Sequence, residues 1–195
     1  MANVFAIHSV GSSIATFLRN TYPQSMAGRE MPDCGFDLVS SGELAVEPED
    51  ATRVTLYLYR VTVNEHARQA RAGHAPQAKA ASLGLDLHFL LTAWAGNALD
   101  EHVTLAWAMR QLHLNPVLDA SSLSPEAGWA GDEVIQIIPA ELSTEDIMRI
   151  WDALEPAYRV SVSYIARLVR LDPDAPEEDK PVVASRFAYG VEERP

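Results

Sequence analysis

Residues 53–63 read RVTLYLYRVTV, and residues 85–95 read LDLHFLLTAWA. The first stretch is rich in β-branched and aromatic residues and is apolar on both alternating faces, which is typical of a covered strand. The second has one fully apolar face and a mixed face that carries Asp86 and His88. No helix is predicted between these two strong strands, so the pattern favours an α+β protein over a doubly wound parallel sheet.

Weaker elements surround the two strands. Apolar residues at helical spacing predict a helix over 4–18, although Gly11 weakens it by about 1 kcal/mol relative to alanine. Asn97 and Ser143 are predicted helix N-caps, for helices over 97–113 and from Ser143 to before Pro156. Shorter strands are predicted at 36–39, 134–138 and 158–169, with a turn at 40–43 and a loop over 117–131. The expected architecture is a mixed β-sheet flanked by about three helices.

Two helices carry apolar stripes that we expect to face the sheet. On the helix over 97–113 the expected stripe is Leu99, Val103, Ala106, Trp107 and Leu114. On the helix after Ser143 it is Ile147, Ile150, Trp151 and Leu154. Packing is therefore the expected role of Trp107 and Trp151, whereas Trp94 and Trp129 are candidate anchors for contacts with other subunits, because tryptophan often dominates such contacts.

Two segments fall outside this pattern. The connector over 64–82 is long, polar and rich in alanine, and it carries Arg68, Arg71 and Lys79 against a single acid, Glu65. From Asp172 the composition becomes acidic and rich in proline, which is typical of a linker. Phe187 and Tyr189 then lie in a short terminal stretch, over 182–195, that we expect to dock as an extended arm. The predicted organisation is one domain over 1–171 and a linker with an arm over 172–195.

Composition narrows the possible functions. The 195 residues are 48% apolar and 22% charged, ordinary values for a globular protein, and the net charge is −12. An acidic surface without a basic cluster repels phosphate backbones, so nucleic acid is not an expected partner. The start has no signal-peptide pattern, and the apolar stretch near 87–95 is too short to span a bilayer, so no membrane partner is expected and assembly is placed in the cytoplasm.

Motifs for chemistry are weak. The glycine-rich phosphate loop and the Gly-x-Ser-x-Gly elbow are both absent from the sequence. The best metal or acid–base candidate combines Asp86 and His88 on one strand with Glu101 and His102 on the following helix. Their simpler interpretation is polar residues on a wetter strand face and a helix surface, and Cys34, the one cysteine, is expected to be structural. We therefore expect no catalytic residue, no cofactor and no metal.

Four blocks, taken in order and spacing, carry a resemblance. They are RVTLYLYRVTVNEHARQ at 53–69, LDLHFLLTAW at 85–94, EHVTLAWAMRQLHLNPVL at 101–118 and WDALEPAYRVSVSYIARLV at 151–169. Together they resemble the cap, or tail-terminator, protein family of extracellular phage-tail-like contractile injection systems, such as antifeeding prophages and Photorhabdus virulence cassettes. The resemblance covers roughly residues 4–171.

The resemblance implies a phage tail-terminator-like fold and a homohexameric ring on the membrane-distal end of an inner tube. Such a ring stops tube growth, helps anchor the sheath, and leaves the cell within a released particle. The inner tube protein and the sheath protein are the implied partners, with no catalysis and no cofactor. For the contacts we expect contributions from Arg68, Arg71, Lys79, Trp129, Phe187 and Tyr189. The alternatives are another ring-forming tail or baseplate adaptor subunit, a soluble binding module, or a small cytosolic metal-dependent enzyme.

Overall fold

The computed structural model describes residues 2–45, 52–64, 82–154 and 156–172. The helices of these residues are α1 (Ala6–Thr21), α2 (Ser41–Leu44), α3 (Ala98–Leu114) and α4 (Thr144–Asp152), with a 3-10 turn at Pro125–Ala127. The strands are β1 (Ser25–Met26), β2 (Arg29–Glu30), β3 (Gly35–Val39), β4 (Arg53–Val63), β5 (Leu83–Trp94), β6 (Val117–Asp119), β7 (Val134–Ala140) and β8 (Ser161–Leu171).

One six-stranded sheet organises the fold, in the order β3-β4-β5-β8-β7-β6. β3 runs parallel to β4, and every other neighbouring pair is antiparallel. The two strands that the sequence marks most strongly, β4 and β5, are paired directly, from Arg53 opposite Trp94 to Val63 opposite Leu85. The α+β class and the mixed sheet flanked by helices are therefore confirmed.

The larger core lies on one face of this sheet, which we call the inner face, under α1 and α3. Its fully buried side chains include Ile14 and Leu18 of α1 and Leu87, Phe89 and Leu91 of β5. Gly11 lets α1 approach closely: a Cβ there would lie 2.7 Å from Leu38 Cδ1 and 3.2 Å from Phe89 Cε1. The glycine that weakens the predicted helix is thus favoured by the close packing of α1 against β3 and β5.

A smaller core lies on the opposite, outer face, under α2 and α4. Leu44, Leu90, Trp94 and Trp151 are buried there, and the rings of the two tryptophans meet at 60° with centroids 5.9 Å apart. Ser143 caps α4 as predicted, since its hydroxyl accepts a hydrogen bond from Asp146 N at 3.1 Å. The predicted packing face of α4 is confirmed, with Trp151 buried and Ile147, Ile150 and Leu154 partly buried beside it.

The predicted stripe on α3 is wrong in part. Leu99 and Leu114 are 64% and 59% exposed, and the buried side chains of this helix are Thr104, Leu105, Trp107, Ala108 and Leu112. A polar residue occupies the buried face because the Thr104 hydroxyl donates to Asp100 O, 2.7 Å away, and so needs no partner from the sheet. The helix is therefore rotated relative to the stripe that hydrophobicity alone predicts.

Smaller differences have local causes. The predicted turn at 40–43 is the start of α2, which Ser40 and Glu43 close with a reciprocal capping box. The predicted loop over 117–131 contains β6 and the 3-10 turn. The last strand begins at Ser161, and an irregularity opposite Asp86 brings Val169, and not Leu168, into the inner core. Among the described residues, no helix is both long enough and apolar enough to cross a membrane.

Candidate assembly interface

The candidate metal or acid–base residues do not come together. Asp86 accepts two hydrogen bonds from Asn64 Nδ2, each 3.1 Å long, and lies 3.8 Å from Arg167 Nε. His88 Nε2 lies 3.0 Å from Thr62 Oγ1 on the outer face of the sheet. His102 is exposed on α3, which covers the inner face. Within the described part of the chain, no three histidine, cysteine, aspartate or glutamate side chains are grouped as metal ligands.

The electrostatics of two candidate groups fit structural roles. Burial lowers the pKa of His88, and the nearby positive charge of Arg60 lowers it further, so the neutral ring is favoured. Burial raises the pKa of the Cys34 thiol to about 12, which keeps it protonated at neutral pH. A protonated thiol is a poor nucleophile and a poor metal ligand.

The two tryptophans considered as anchors differ in their surroundings. Trp94 is 3% exposed, and its Nε1 donates to Thr55 Oγ1 at 2.9 Å, so it packs within the subunit. Its prediction as an anchor for contacts with other subunits is therefore wrong. Trp129 is partly buried against the inner core. Its Nε1 lies 2.9 Å from Ser9 Oγ and 3.0 Å from Ser124 O. A role for its exposed part in subunit contacts stays a prediction.

Buried serines on α1 hold the loop that carries Trp129. Ser9 Oγ donates to Ser124 O at 2.8 Å, and Ser124 N donates to Ser13 Oγ at 2.8 Å. Hydrophobic patterning does not predict this contact, because serine carries no hydrophobic signal. The available signal was the spacing of Ser9 and Ser13, four residues apart beside Val10 and Ile14 on one side of a helix.

The other predicted contact residues lie outside the described residues. Arg68, Arg71 and Lys79 belong to the connector, and Phe187 and Tyr189 belong to the terminal stretch. Their roles therefore stay predictions.

Among the described strands, β4 has a long stretch of edge without a partner. β3 has 5 residues and pairs with β4 only from Arg53 to Tyr57, whereas β4 has 11 residues. Residues 58–63 of β4, which we call the open edge, therefore pair with β5 on one side, and no described strand pairs with them on the other. The only sequence signal for this edge was the unequal length of the two predicted strands.

Grooves flank the open edge on both faces of the sheet. The outer groove, of about 550 Å³, lies between β4 and α4 and is lined by residues including Tyr57, Tyr59, Ile150 and Leu154. The inner groove, of about 520 Å³, lies between β4 and the start of α1 and is lined by residues including Ile7, Leu38, Leu58 and Phe89. Residues just before or within α2 border both grooves: Ser40 and Glu43 on the inner side, and Ser41 on the outer side.

The remaining edges of the sheet are protected. Arg19 Nη2 donates to Phe36 O and lies 3.6 Å from Asp37 Oδ1. The Arg19 side chain therefore covers part of the free edge of β3. At the opposite side the edge strand β6 has 3 residues. Short strands and charged side chains are the usual means of blocking unwanted strand pairing, and the open edge has neither over most of its length.

A family model matches most of the chain. The Pvc16 N-terminal domain matches residues 9–185, which includes both cores and the open edge. The chain belongs to the Pvc16 N-terminal domain family. No curated protein sequence matches it. The resemblance to a tail-terminator or cap family, drawn above from four sequence blocks, is thereby confirmed.

Solved structures share the fold of this Pvc16-type domain. The sheath/tube terminator of an extracellular contractile injection system, PVC, in its extended state, has 20% sequence identity and a TM-score of 0.57, over 96% of this chain and 64% of that chain. The tube-terminating cap of the anti-feeding prophage has 15% identity and a TM-score of 0.54, over 92% of this chain and 60% of that chain. The chain therefore spans less than two thirds of either structure, and the likeness establishes the fold.

Proposed function

We propose that this chain is a cap subunit that closes the membrane-distal end of the inner tube of a contractile injection system. In this role it stops growth of the tube and helps to anchor the sheath. The observation that carries the proposal is the match of residues 9–185 to the Pvc16 N-terminal domain, on a fold shared with two tube terminators. The ordinary structural partners of Asp86, His88 and Cys34 support a non-enzymatic role.

The physical requirement on such a subunit is asymmetry. A tube grows because each ring presents the same two complementary faces, so a terminator must match the last ring on one face and offer no copy of that face on the other. We propose a homohexameric ring built by residues 1–171, which assembles in the cytoplasm and leaves in the particle. Residues 172–195 form a separate linker and arm in this proposal.

Contacts with the tube and sheath are assigned to segments at the surface. We propose that Arg68, Arg71 and Lys79 of the connector dock on acidic partner surfaces, because local positive charge in an acidic protein directs the orientation of binding. Trp129, Phe187 and Tyr189 are the proposed aromatic contacts.

The deciding experiment measures the mass of the purified protein alone and after mixing with its tube protein. A ring of six subunits that binds tube ends and fixes tube length is the expected result. A protein that stays monomeric and leaves tube length unregulated contradicts the proposal. A ring that binds at the other end of the tube identifies a baseplate adaptor instead.

The connector is tested by reversing its charges. Replacing Arg68, Arg71 and Lys79 by glutamate should weaken tube capping, and the effect should decrease as salt is raised. The matched control reverses Arg29, Arg110 and Arg170, which are exposed elsewhere. Equal capping by both triple variants would exclude the connector from the interface.

A further inference from the structure

The open edge has the features of a strand-accepting site. On the inner face Val61 and Val63 are 43% and 56% exposed, in line with Leu58 at the inner groove. On the outer face Tyr59 and Arg60 line the outer groove. A strand placed beside 58–63 would gain backbone hydrogen bonds from β4, while its alternating side chains would face Val61 and Val63 on the inner face and Tyr59 on the outer face.

The path of the chain limits what can reach this edge. β8 and β4 run in the same direction, since both are antiparallel to β5. Leu171 lies opposite Leu83, and Val63 lies opposite Leu85, so Asp172 leaves the sheet at the same end as Val63. A strand added beyond β4 would lie three strand spacings from β8, about 14 Å, and residues 173–181 can span roughly 30 Å when extended.

We propose that, in the isolated subunit, residues 182–189 of the same chain add to the open edge as a strand antiparallel to β4, and that assembly releases Phe187 and Tyr189 from this edge to contact tube and sheath. The direction follows from the path, because the chain enters at the Val63 end and runs back toward Leu58. The segment reads VVASRFAY, which is apolar on both alternating sides except for Ser185 and Arg186. That pattern matches an edge that exposes Val61 and Val63 on one face and Tyr59 on the other.

Hydrogen exchange of the full chain, as an isolated subunit, tests the proposal. The outward-pointing amides of 58–63 should be protected. The double variant R186P/F187P should raise their exchange rate by at least about tenfold, because one of two adjacent residues donates its amide to β4 in either register and proline removes that amide. The control E178P lies in the linker and should leave that exchange unchanged. Exchange at β5 reports that each variant remains folded.

Three results would overturn the proposal. Fast exchange of 58–63 in the unmodified chain means that the edge is empty. Protection that survives R186P/F187P means that another segment covers it. Protection that is lost on dilution of the unmodified chain means that the arm of a second copy occupies the edge. Because the assay needs neither tube nor sheath, failure of the cap proposal leaves it unaffected.

Discussion

At the scale of single residues, Gly11 shows how packing overrides helix propensity. Alanine at this position gains about 1 kcal/mol of helix propensity, but its Cβ would press on Leu38 and Phe89, so we expect little net change. Valine adds bulk that the contact cannot absorb, and G11V should lower the free energy of unfolding by about 1–3 kcal/mol. Urea titration measures the free energy of unfolding, with T16V on the exposed side of α1 as the control. Equal losses of stability in G11V and T16V would contradict the close approach of α1 to the sheet.

His88 gives the fold a dependence on pH. Since burial lowers its pKa in the folded chain, the unfolded chain binds the proton first as pH falls below about 6.5. The stabilising contribution of neutral His88 is therefore present above that pH and is lost below it. When the pH is lowered from about 7.5 to 5.5, the free energy of unfolding of H88Q should fall by less than that of the unmodified chain. Urea titration at each pH measures both values.

The matched control for this pH dependence is H102Q, whose side chain is exposed on α3. It should retain the pH dependence of the parent chain. If H88Q also retained it, another group would be responsible.

At the scale of elements, α4 depends on its cap. Ser143 is the N-cap, and the helix it starts covers the outer core through Trp151. S143A should lower the free energy of unfolding by about 1 kcal/mol, because the amide of Asp146 loses its acceptor. T144A, one residue into the same exposed turn, is the control and should change it by less than about 0.5 kcal/mol. Thermal unfolding, followed by the near-ultraviolet circular dichroism of the aromatic side chains, measures both changes. A loss in S143A as small as that in T144A would mean that the cap is dispensable.

Elements differed in how far the sequence predicted them. β4 was predicted because β-branched and aromatic residues fill both of its faces, and β5 because one of its alternating faces is fully apolar. α4 was predicted because Ser143 and Asp146 mark its start. The buried face of α3 was not predicted correctly. The Thr104 hydroxyl donates a hydrogen bond within its own helix, so this polar residue can be buried where hydrophobicity predicts an exposed position. The open edge was not predicted either, because strand pairing depends on where β3 ends relative to β4, a distance in space.

At the scale of the whole molecule, the two cores share one set of strands. Leu87 and Leu90 lie on opposite faces of β5 and are both fully buried. Since loss of β5 removes the support of both cores, the domain should unfold in one cooperative transition, although its larger core is on the inner face. This continuity places the open edge and both grooves on the same sheet.

Substitutions on the two faces of β5 test that continuity. L87A and L90A should each lower the free energy of unfolding by about 2–5 kcal/mol, and each should retain a single urea transition seen alike by tryptophan fluorescence and far-ultraviolet circular dichroism. L99A, at a position 64% exposed, should change the free energy by less than about 0.5 kcal/mol. Separate transitions in L90A would mean that the outer core unfolds alone. In that case the outer groove would open before the inner one, and strand addition at the open edge would depend on the stability of α4 rather than on the sheet.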